Sequence, residues 1–403
     1  MVASGSLSGN KRLLVLGAGP AQLGLLEAAR ARGLWLAVVD RDPAAPGFRF
    51  ADRRCILSTE DEPGIERLAG ALRIGGIISP GTDWPVGIAA RLAERLGLPH
   101  PITPETAVAA TNKLRQREQL AHAGVPQPRS WVVGGDDELP VVKGPVVVKA
   151  PDRQGQKGLT LVKDLAGLAA AVETARSAAR NGLALIEELV DGPEVTVVGF
   201  SISGVFTALA VTDRITADPP AFGVALAHVF ESRHAEEAAL VAAGAARALG
   251  ILDGPSYTQL RIGPDGPQVI EVAARLGGGH DAELVQAAIG VDLNGLAISS
   301  ALDERIGAPQ PTHHIGGAVT RFLVAPVGRF ERVGVPEGLD GVVTVRIYRE
   351  PGHVFTPLRR APDRAGAVLV LGDDREHAVA RAEAAAQRIR FFVADAGALL
   401  QAN

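Results

Sequence analysis

Short apolar runs alternate with helical patterns in the first hundred residues of the 403-residue chain. Apolar runs at 13–16, 35–39 and 76–79 are typical of buried strands, and patterns with helical periodicity follow at 20–32 and 85–96. Strands that alternate with helices at this spacing predict a parallel sheet with helices on both faces. The amino-terminal part is therefore predicted to be an α/β domain.

The pattern changes beyond residue 110, where neighbouring strands are joined by short turns. Ser203-Gly204 and Pro264-Asp265-Gly266 separate pairs of apolar runs, which predicts two antiparallel hairpins. The later elements are predicted to be helices at 112–123, 164–179, 235–249 and 375–389, and strands at 131–133, 146–149, 184–187, 194–201, 206–212, 257–262, 268–272 and 367–371.

Composition narrows the class of protein. The net charge of −4 argues against a nucleic-acid-binding surface, and no segment has the roughly 18 apolar residues that a membrane helix needs. The single cysteine, Cys55, lies in an apolar run and is interpreted as structural, which fits a reducing compartment. The polar start, residues 1–12, has no apolar signal core and is predicted to be a disordered lead-in. We expect a soluble, cytoplasmic protein.

Lysine is rare, and its distribution is uneven. The chain has six lysines and 35 arginines, and five of the lysines fall within residues 113–163. Arginine has replaced lysine almost everywhere else. Residues 113–163 are therefore the segment in which a lysine side chain is predicted to be required.

A glycine-rich turn, Gly17-Ala18-Gly19, follows the first strand and opens a helix, and Asp40 ends the next strand. This resembles a dinucleotide-binding fingerprint, but Gln22 replaces its third glycine. Three interpretations stay open: a structural tight turn, a dinucleotide site, and a site for another anion at the helix N-terminus.

Three segments carry the candidate chemistry. Asn112-Lys113 begins a helix, and Lys149 ends an apolar strand next to a loop, 152–158, that is rich in glycine and charge. A lysine beside such a loop is well placed to hold phosphate oxygens, with the loop N–H groups. The third segment, 186–197, ends a strand with two glutamates and returns to a strand at Glu194. Taken singly, Lys113 also fits an exposed helix position, and the two glutamates a solvated turn.

The order and spacing of these segments resemble the ATP-grasp superfamily, which includes biotin carboxylase, D-alanine–D-alanine ligase, carboxyaminoimidazole ribonucleotide synthase and the amino-acid ligases. The resemblance covers almost the whole chain and implies a mixed α/β and α+β architecture. It implies a Rossmann-like domain at 1–110, the small lobe or lid at 111–190, the large lobe at 191–317 and a small α+β region at 318–403.

The resemblance also implies the residues that bind ATP. Lys113 and Lys149 would bind its phosphates, and the loop would close over them. Glu187, with the backbone of Glu188 and Val190, would meet the adenine, and Glu194 the ribose. The loop residues expected at the nucleotide are Arg153, Gln156, Lys157 and Gly158.

The hairpin 257–272 is similar to the paired strands that hold Mg²⁺ in this superfamily, with Mn²⁺ as a substitute. Glu271 matches the central ligand. Gln259 stands where a carboxylate is common, and Ala273 where an asparagine is common, so either one Mg²⁺ is held more loosely or Glu271 bridges two ions alone. Arg275 would stabilise the acyl phosphate, and His280 resembles a position near the acceptor, although a structural role for this histidine is equally open.

The implied activity is an ATP-dependent ligation of a carboxylate, through an acyl phosphate, to an amine that is an amino acid, with release of ADP and phosphate. Small-molecule substrates and a homodimer are expected. Two alternatives stay open: a bicarbonate-dependent carboxylase of the purine-biosynthetic kind, and an inactive ATP-binding module. Candidate substrate contacts are Gln22, Asp40, Thr82, Asp83, Arg214, His228, Arg275 and His280.

Overall fold

The computed structural model describes residues 11–135 and 137–394, so most of the polar lead-in lies outside the described residues. Four parallel strands form the first sheet, in the order β3-β2-β1-β4. The parallel α/β prediction is confirmed. The elements of this part are β1 (Arg12–Leu16), α1 (Leu23–Ala31), β2 (Trp35–Asp40), β3 (Arg53–Ile56), α2 (Glu62–Leu72), β4 (Gly76–Ile78), α3 (Trp84–Leu96) and α4 (Pro104–Thr111).

A small antiparallel sheet follows, in the order β5-β8-β6-β7. One helix covers it, because the apolar face of 168–175 packs on the buried valines of the strands. The elements here are α5 (Lys113–His122), β5 (Ser130–Val133), β6 (Val146–Lys149), β7 (Thr160–Val162), α6 (Leu168–Ala178) and β8 (Ala184–Glu188).

The largest sheet has eight strands in the order β13-β12-β9-β10-β11-β14-β18-β16, and a three-stranded sheet, β17-β15-β19, lies beyond it. The domain boundary predicted at residue 317 coincides with the start of β14, and the large sheet continues past it. The elements are β9 (Glu194–Ile202), β10 (Val205–Thr216), β11 (Ala225–Phe230), α7 (Ala235–Ala248), β12 (Gly254–Gly263), β13 (Gly266–Ala273), α8 (Asp281–Ile289), α9 (Leu293–Ala301), β14 (Gly317–Leu323), β15 (Gly328–Gly334), β16 (Val342–Ile347), β17 (Val354–Phe355), β18 (Gly366–Gly372), α10 (Arg375–Arg388) and β19 (Arg390–Ala394).

Both predicted hairpins are present. Ser203 and Gly204 have φ values of 48° and 80°, which suit the tight turn that joins right-twisted antiparallel strands. In the second hairpin, β12 pairs with β13 so that Gln259 lies opposite Glu271.

One apolar cluster joins the first sheet to the large sheet. It contains Leu13, Leu25, Leu284 and Phe200, which come from β1, α1, α8 and β9. Burial of this continuous apolar surface fixes the carboxyl ends of the parallel strands against the large sheet. Among the described residues, no helix has both the length and the apolar character needed to cross a membrane.

Candidate active site

A cleft of about 670 Å³ lies where the parallel sheet, the small sheet and the large sheet meet. Residues from every part of the fold line it, including the glycine-rich turn, the loop 152–158, the hairpin β12–β13 and the segment 348–364. Of the sequence-predicted site residues, all but Gly158 and His280 are among those that line this cleft.

Lys149 and Glu187 form a buried ion pair. Lys149 Nζ lies 2.6 Å from Glu187 Oε2, and Arg117 Nε donates to Glu187 Oε1 at 2.9 Å. Burial alone would raise the pKa of Glu187, but the two cations lower it below its usual range. Its predicted contact with adenine stays untested. The structure places its carboxylate on Lys149 and Arg117, where it fixes the lysine.

Lys113 and Glu271 form a second pair at the other side of the cleft. Asn112 caps α5 by accepting the N–H of Leu114 at 3.0 Å, which sets Lys113 at the first helical position. Lys113 Nζ lies 2.7 Å from Glu271 Oε1 and donates to Arg153 O at 2.9 Å. Burial would raise the pKa of Glu271, but Lys113 lowers it to about 2. Glu271 is therefore ionised at neutral pH.

The loop 152–158 spans the cleft and contacts both flanking regions. Gln156 accepts the N–H of Ala361 at 3.2 Å, and Gln154 accepts the N–H of Asp83 at 2.7 Å. Arg153 donates to Ala178 O at 2.6 Å. Gly158 has φ of +72°, and a Cβ there would lie 2.7 Å from that of Ala178, so this glycine shapes the loop.

The segment after β8 presents backbone groups to the cleft. Glu188 N–H donates to Arg129 O and Leu189 N–H donates to Pro145 O, both at 3.0 Å. Because these two N–H groups already donate within the protein, a base bound by this segment would meet its backbone carbonyls and the N–H of Val190. Glu194, the predicted ribose ligand, lies on β9 and is ion-paired with Arg214.

The metal prediction depends on two facing side chains. Glu271 and Gln259 are opposite each other on β13 and β12 and both line the cleft, whereas Ala273 is buried opposite Tyr257. In the described part of the chain, no three His, Cys, Asp or Glu side chains form a metal-binding group. One carboxylate and one amide oxygen fit Mg²⁺ that takes its remaining ligands from phosphates and water.

Arg275 and His280 differ in their placement. Arg275 lines the cleft, where Nε donates to Asp83 Oδ1 and a second nitrogen donates to Leu276 O at 2.7 Å. His280 is buried with φ of +62°, and its Nε2 lies 2.6 Å from the hydroxyl of Tyr348. Tyr348 lines the cleft, so any influence of His280 on a substrate would pass through that hydroxyl.

The side chains of Asp40 and Gln22 hold the glycine-rich turn. Asp40 accepts a hydrogen bond from the N–H of Ala18 at 2.8 Å, so its carboxylate fixes the conformation of the turn. The Gln22 side chain would lie 2.9 Å from a Cβ on Gly17, and it donates to Thr82 Oγ1 at 3.0 Å. These contacts favour a tight turn that bounds a substrate site.

The comparisons with known proteins agree with this geometry. Residues 321–394 match the model of the L-amino acid ligase C-terminal domain 2. An L-amino acid ligase structure from Bacillus licheniformis superimposes with a TM-score of 0.80, at 23% identity over 96% of this chain and 99% of the other. The chain therefore has the fold of this ATP-grasp ligase. The resemblance stated from the motifs and the mixed α/β fold are thus confirmed.

Two curated sequences are also similar to this chain. The "Uncharacterized protein y4rH" of Sinorhizobium fredii is 28% identical over 382 residues, which cover 88% of this chain and 77% of that protein. Dapdiamide A synthase of Enterobacter agglomerans is 23% identical over 357 residues, which cover 82% and 84% of the two chains.

Several residues of the cleft were not found from the sequence motifs. Asp281 is buried and contacts His228, which lines the cleft: its Oδ1 lies 3.0 Å from His228 Nδ1, and its Oδ2 accepts the N–H of Gly279 at 3.0 Å. His228 was a candidate substrate contact from the sequence, but no motif marks Asp281. The segment 348–364 adds Tyr348, Arg349, Arg360 and Arg364, which no motif marks.

Proposed function

We propose that this protein is an ATP-dependent carboxylate–amine ligase that joins an amino acid to a second substrate. The observation that carries the proposal is the set of four charged side chains in one cleft, Lys113, Lys149, Glu271 and Arg275, in an ATP-grasp fold. The match of residues 321–394 to the L-amino acid ligase model supports an amino acid as a substrate.

The reaction takes two steps. An oxygen of the substrate carboxylate attacks the γ-phosphorus of ATP, the bond to the β-phosphate oxygen breaks, and ADP leaves with the formation of an acyl phosphate. Lys113 and Lys149 hold phosphate oxygens, and the loop 152–158 excludes water from the reactive anhydride. The amine then attacks the acyl carbon and phosphate leaves, while Arg275 stabilises the negative charge that develops.

Glu271 and Gln259 would hold Mg²⁺, with Mn²⁺ as a substitute. A divalent ion here would neutralise charge on the transferred phosphoryl group. Because Gln259 is uncharged, the protein contributes one negative charge to the metal site through this pair. We therefore propose that one ion is bound less tightly than it would be between two carboxylates.

His228 is the residue proposed to accept the proton of the attacking amine. It lines the cleft, and Asp281 holds its Nδ1 side, which leaves Nε2 for a substrate. Asp281 is ionised, because His228 and the N–H of Gly279 lower its pKa against the effect of burial. We also propose that the protein acts as a homodimer in the cytoplasm.

A substrate screen tests this function. Amino acids and other small acids are supplied singly and in pairs with ATP and Mg²⁺, and ADP and phosphate release is measured. We expect stimulation by a pair that contains an amino acid, and loss of at least roughly a hundredfold in Lys149→Ala. The control is Lys143→Ala, at an exposed position outside the cleft.

Three results would contradict the proposal. Turnover retained in Lys149→Ala would refute the phosphate site. Stimulation by bicarbonate alone would identify a carboxylase. No stimulation by any acid would identify an inactive nucleotide-binding module.

A further inference from the structure

Arg364 presents a guanidinium group to the cleft from the segment before β18. The group lies 3.7 Å over the ring of Phe322. Its Nε donates to Ala361 O at 2.9 Å, and a second nitrogen lies 3.3 Å from Ala225 O. The ring and these carbonyls hold the guanidinium plane in one orientation, so its remaining N–H groups have a fixed direction.

Arg364 differs in its charge balance from four other cations of the cleft. Lys113, Lys149, Arg214 and Arg275 each contact a carboxylate. Within residues 11–135 and 137–394, Arg364 has only carbonyl and ring partners. Burial lowers its pKa, and the nearby cation of Arg214 adds to that effect. A desolvated cation that contacts no carboxylate is costly, and an anionic ligand would reduce that cost.

The surroundings of Arg364 are separate from the predicted phosphate and metal end of the cleft. Arg364 contacts the ring of Phe322 and the carbonyls of Ala361 and Ala225. Arg275, which follows the predicted metal strand, contacts Asp83 and Leu276 O instead. An anion at Arg364 would therefore be a different group from the carboxylate that is activated beside the ATP phosphates.

Phe322 connects Arg364 to His228. His228 is the proposed acceptor of the amine proton, and its ring packs against Phe322 with centroids 5.8 Å apart. Phe322 is the ring on which Arg364 stacks. Arg364 and His228 therefore both pack against Phe322, which makes them neighbours in this part of the cleft.

We propose that Arg364 binds the free carboxylate of the amine substrate and so selects α-amino acids as acceptors. The inference rests on the proposed ligase function. Guanidinium–carboxylate pairs form two parallel hydrogen bonds, so the pair would also orient the amine towards the acyl phosphate.

The test compares amine acceptors in matched pairs with the full-length protein. An active acceptor from the screen is assayed as the free acid and as its carboxamide, with the wild type, Arg364→Gln and Arg364→Lys. The control variant is Arg359→Gln, which removes an exposed arginine from the same segment. Thermal unfolding and ADP binding show whether each variant is folded.

We expect Arg364→Gln to raise the acceptor KM for the free acid by roughly ten- to a hundredfold, the size of one or two charge-assisted hydrogen bonds. The KM for the carboxamide, which already lacks the anion, should change less than about threefold because the two losses remove the same contact. Arg364→Lys should give an intermediate KM, and its retained charge keeps the test usable if the glutamine variant does not fold.

Four outcomes would overturn the inference. The first is that Arg364→Gln changes the KM of the free acid and of the carboxamide equally, and the second is that it changes the KM of the activated acid instead. The third is that the wild type requires a phosphorylated amine. The fourth is that Arg364→Gln and Arg359→Gln have the same kinetics. Each of these requires an active wild-type enzyme, so none can be confused with failure of the ligase proposal. That failure would appear as no substrate-stimulated ADP release in the wild type.

Discussion

Glu187→Gln tests the charge arrangement at the centre of the cleft. The Glu187 carboxylate lies between Lys149 Nζ, at 2.6 Å, and Arg117 Nε, at 2.9 Å. The side chains of all three residues are less than 10% exposed, at 3%, 7% and 7% in the order Glu187, Lys149 and Arg117. Glutamine keeps the shape and one acceptor oxygen but removes the negative charge that neutralises both cations.

The expected loss of stability follows from this burial. Removal of one partner of a buried ion pair costs about 3–5 kcal/mol, and the retained amide oxygen places the expected value near the lower end. In the wild type, the folded-state pKa of Glu187 is depressed, so its stabilisation is complete above the ordinary carboxyl pKa. That stabilisation is lost as the pH falls through the folded-state pKa. The gap between wild type and variant should therefore narrow in acid.

A second effect concerns the lysine itself. Burial, with Arg117 and Lys113, lowers the pKa of Lys149, and Glu187 opposes that shift. Without Glu187 the pKa falls further, so Lys149 loses its charge at a lower pH than in the wild type. We expect the KM for ATP to rise in Glu187→Gln, and to rise more at about pH 9 than at about pH 6.

Urea unfolding and steady-state kinetics measure both effects. The control is Glu173→Gln on α6, whose carboxylate is 68% exposed and 3.5 Å from Arg176. Exposed pairs of this kind contribute below about 1 kcal/mol. If Glu187→Gln costs no more stability than this control, or leaves the pH dependence of the ATP KM unchanged, the coupling of Glu187 to Lys149 is refuted.

Two further substitutions test the metal and the proton acceptor. Gln259→Glu places a second carboxylate opposite Glu271 and should lower the Mg²⁺ concentration for half-maximal ADP release by roughly tenfold; an unchanged Mg²⁺ titration would place residue 259 away from the metal. Asp281→Asn removes the charge that holds His228 and should lower kcat by roughly a hundredfold with an unchanged KM for ATP; an unaffected kcat would remove His228 from the reaction.

The features that were predicted best from the sequence are those that depend on residues close together along the chain. Strand β6 and Lys149 at its end follow from a run of valines, and the hairpin that pairs Gln259 with Glu271 follows from the turn between them. The function of Glu187 could not be read in the same way. Its contact with Lys149 requires β8 and β6 to pair with Val147 opposite Glu187, and strand register is a tertiary property.

Residues that meet only through long-range packing gave no local signal. His280 is 68 positions from the hydroxyl of Tyr348 that it contacts, and its left-handed backbone sets that direction. Arg364 reaches the cleft because β18 pairs with β14, which carries Phe322. An isolated arginine after a loop looks the same in the sequence whether it faces water or a ligand.

The pairing of cations with carboxylates fits the proposed binding of a highly charged nucleotide in this cleft. Glu271 neutralises Lys113, and Asp83 neutralises Arg275, so both cations are held at the cleft without a ligand. In the proposed site, a phosphate bound to Lys113 would free the Glu271 carboxylate to hold a divalent ion, which would keep the charge of the buried site balanced. Arg364 has no carboxylate among the described residues to exchange, so the same reasoning requires its negative charge to arrive with a substrate.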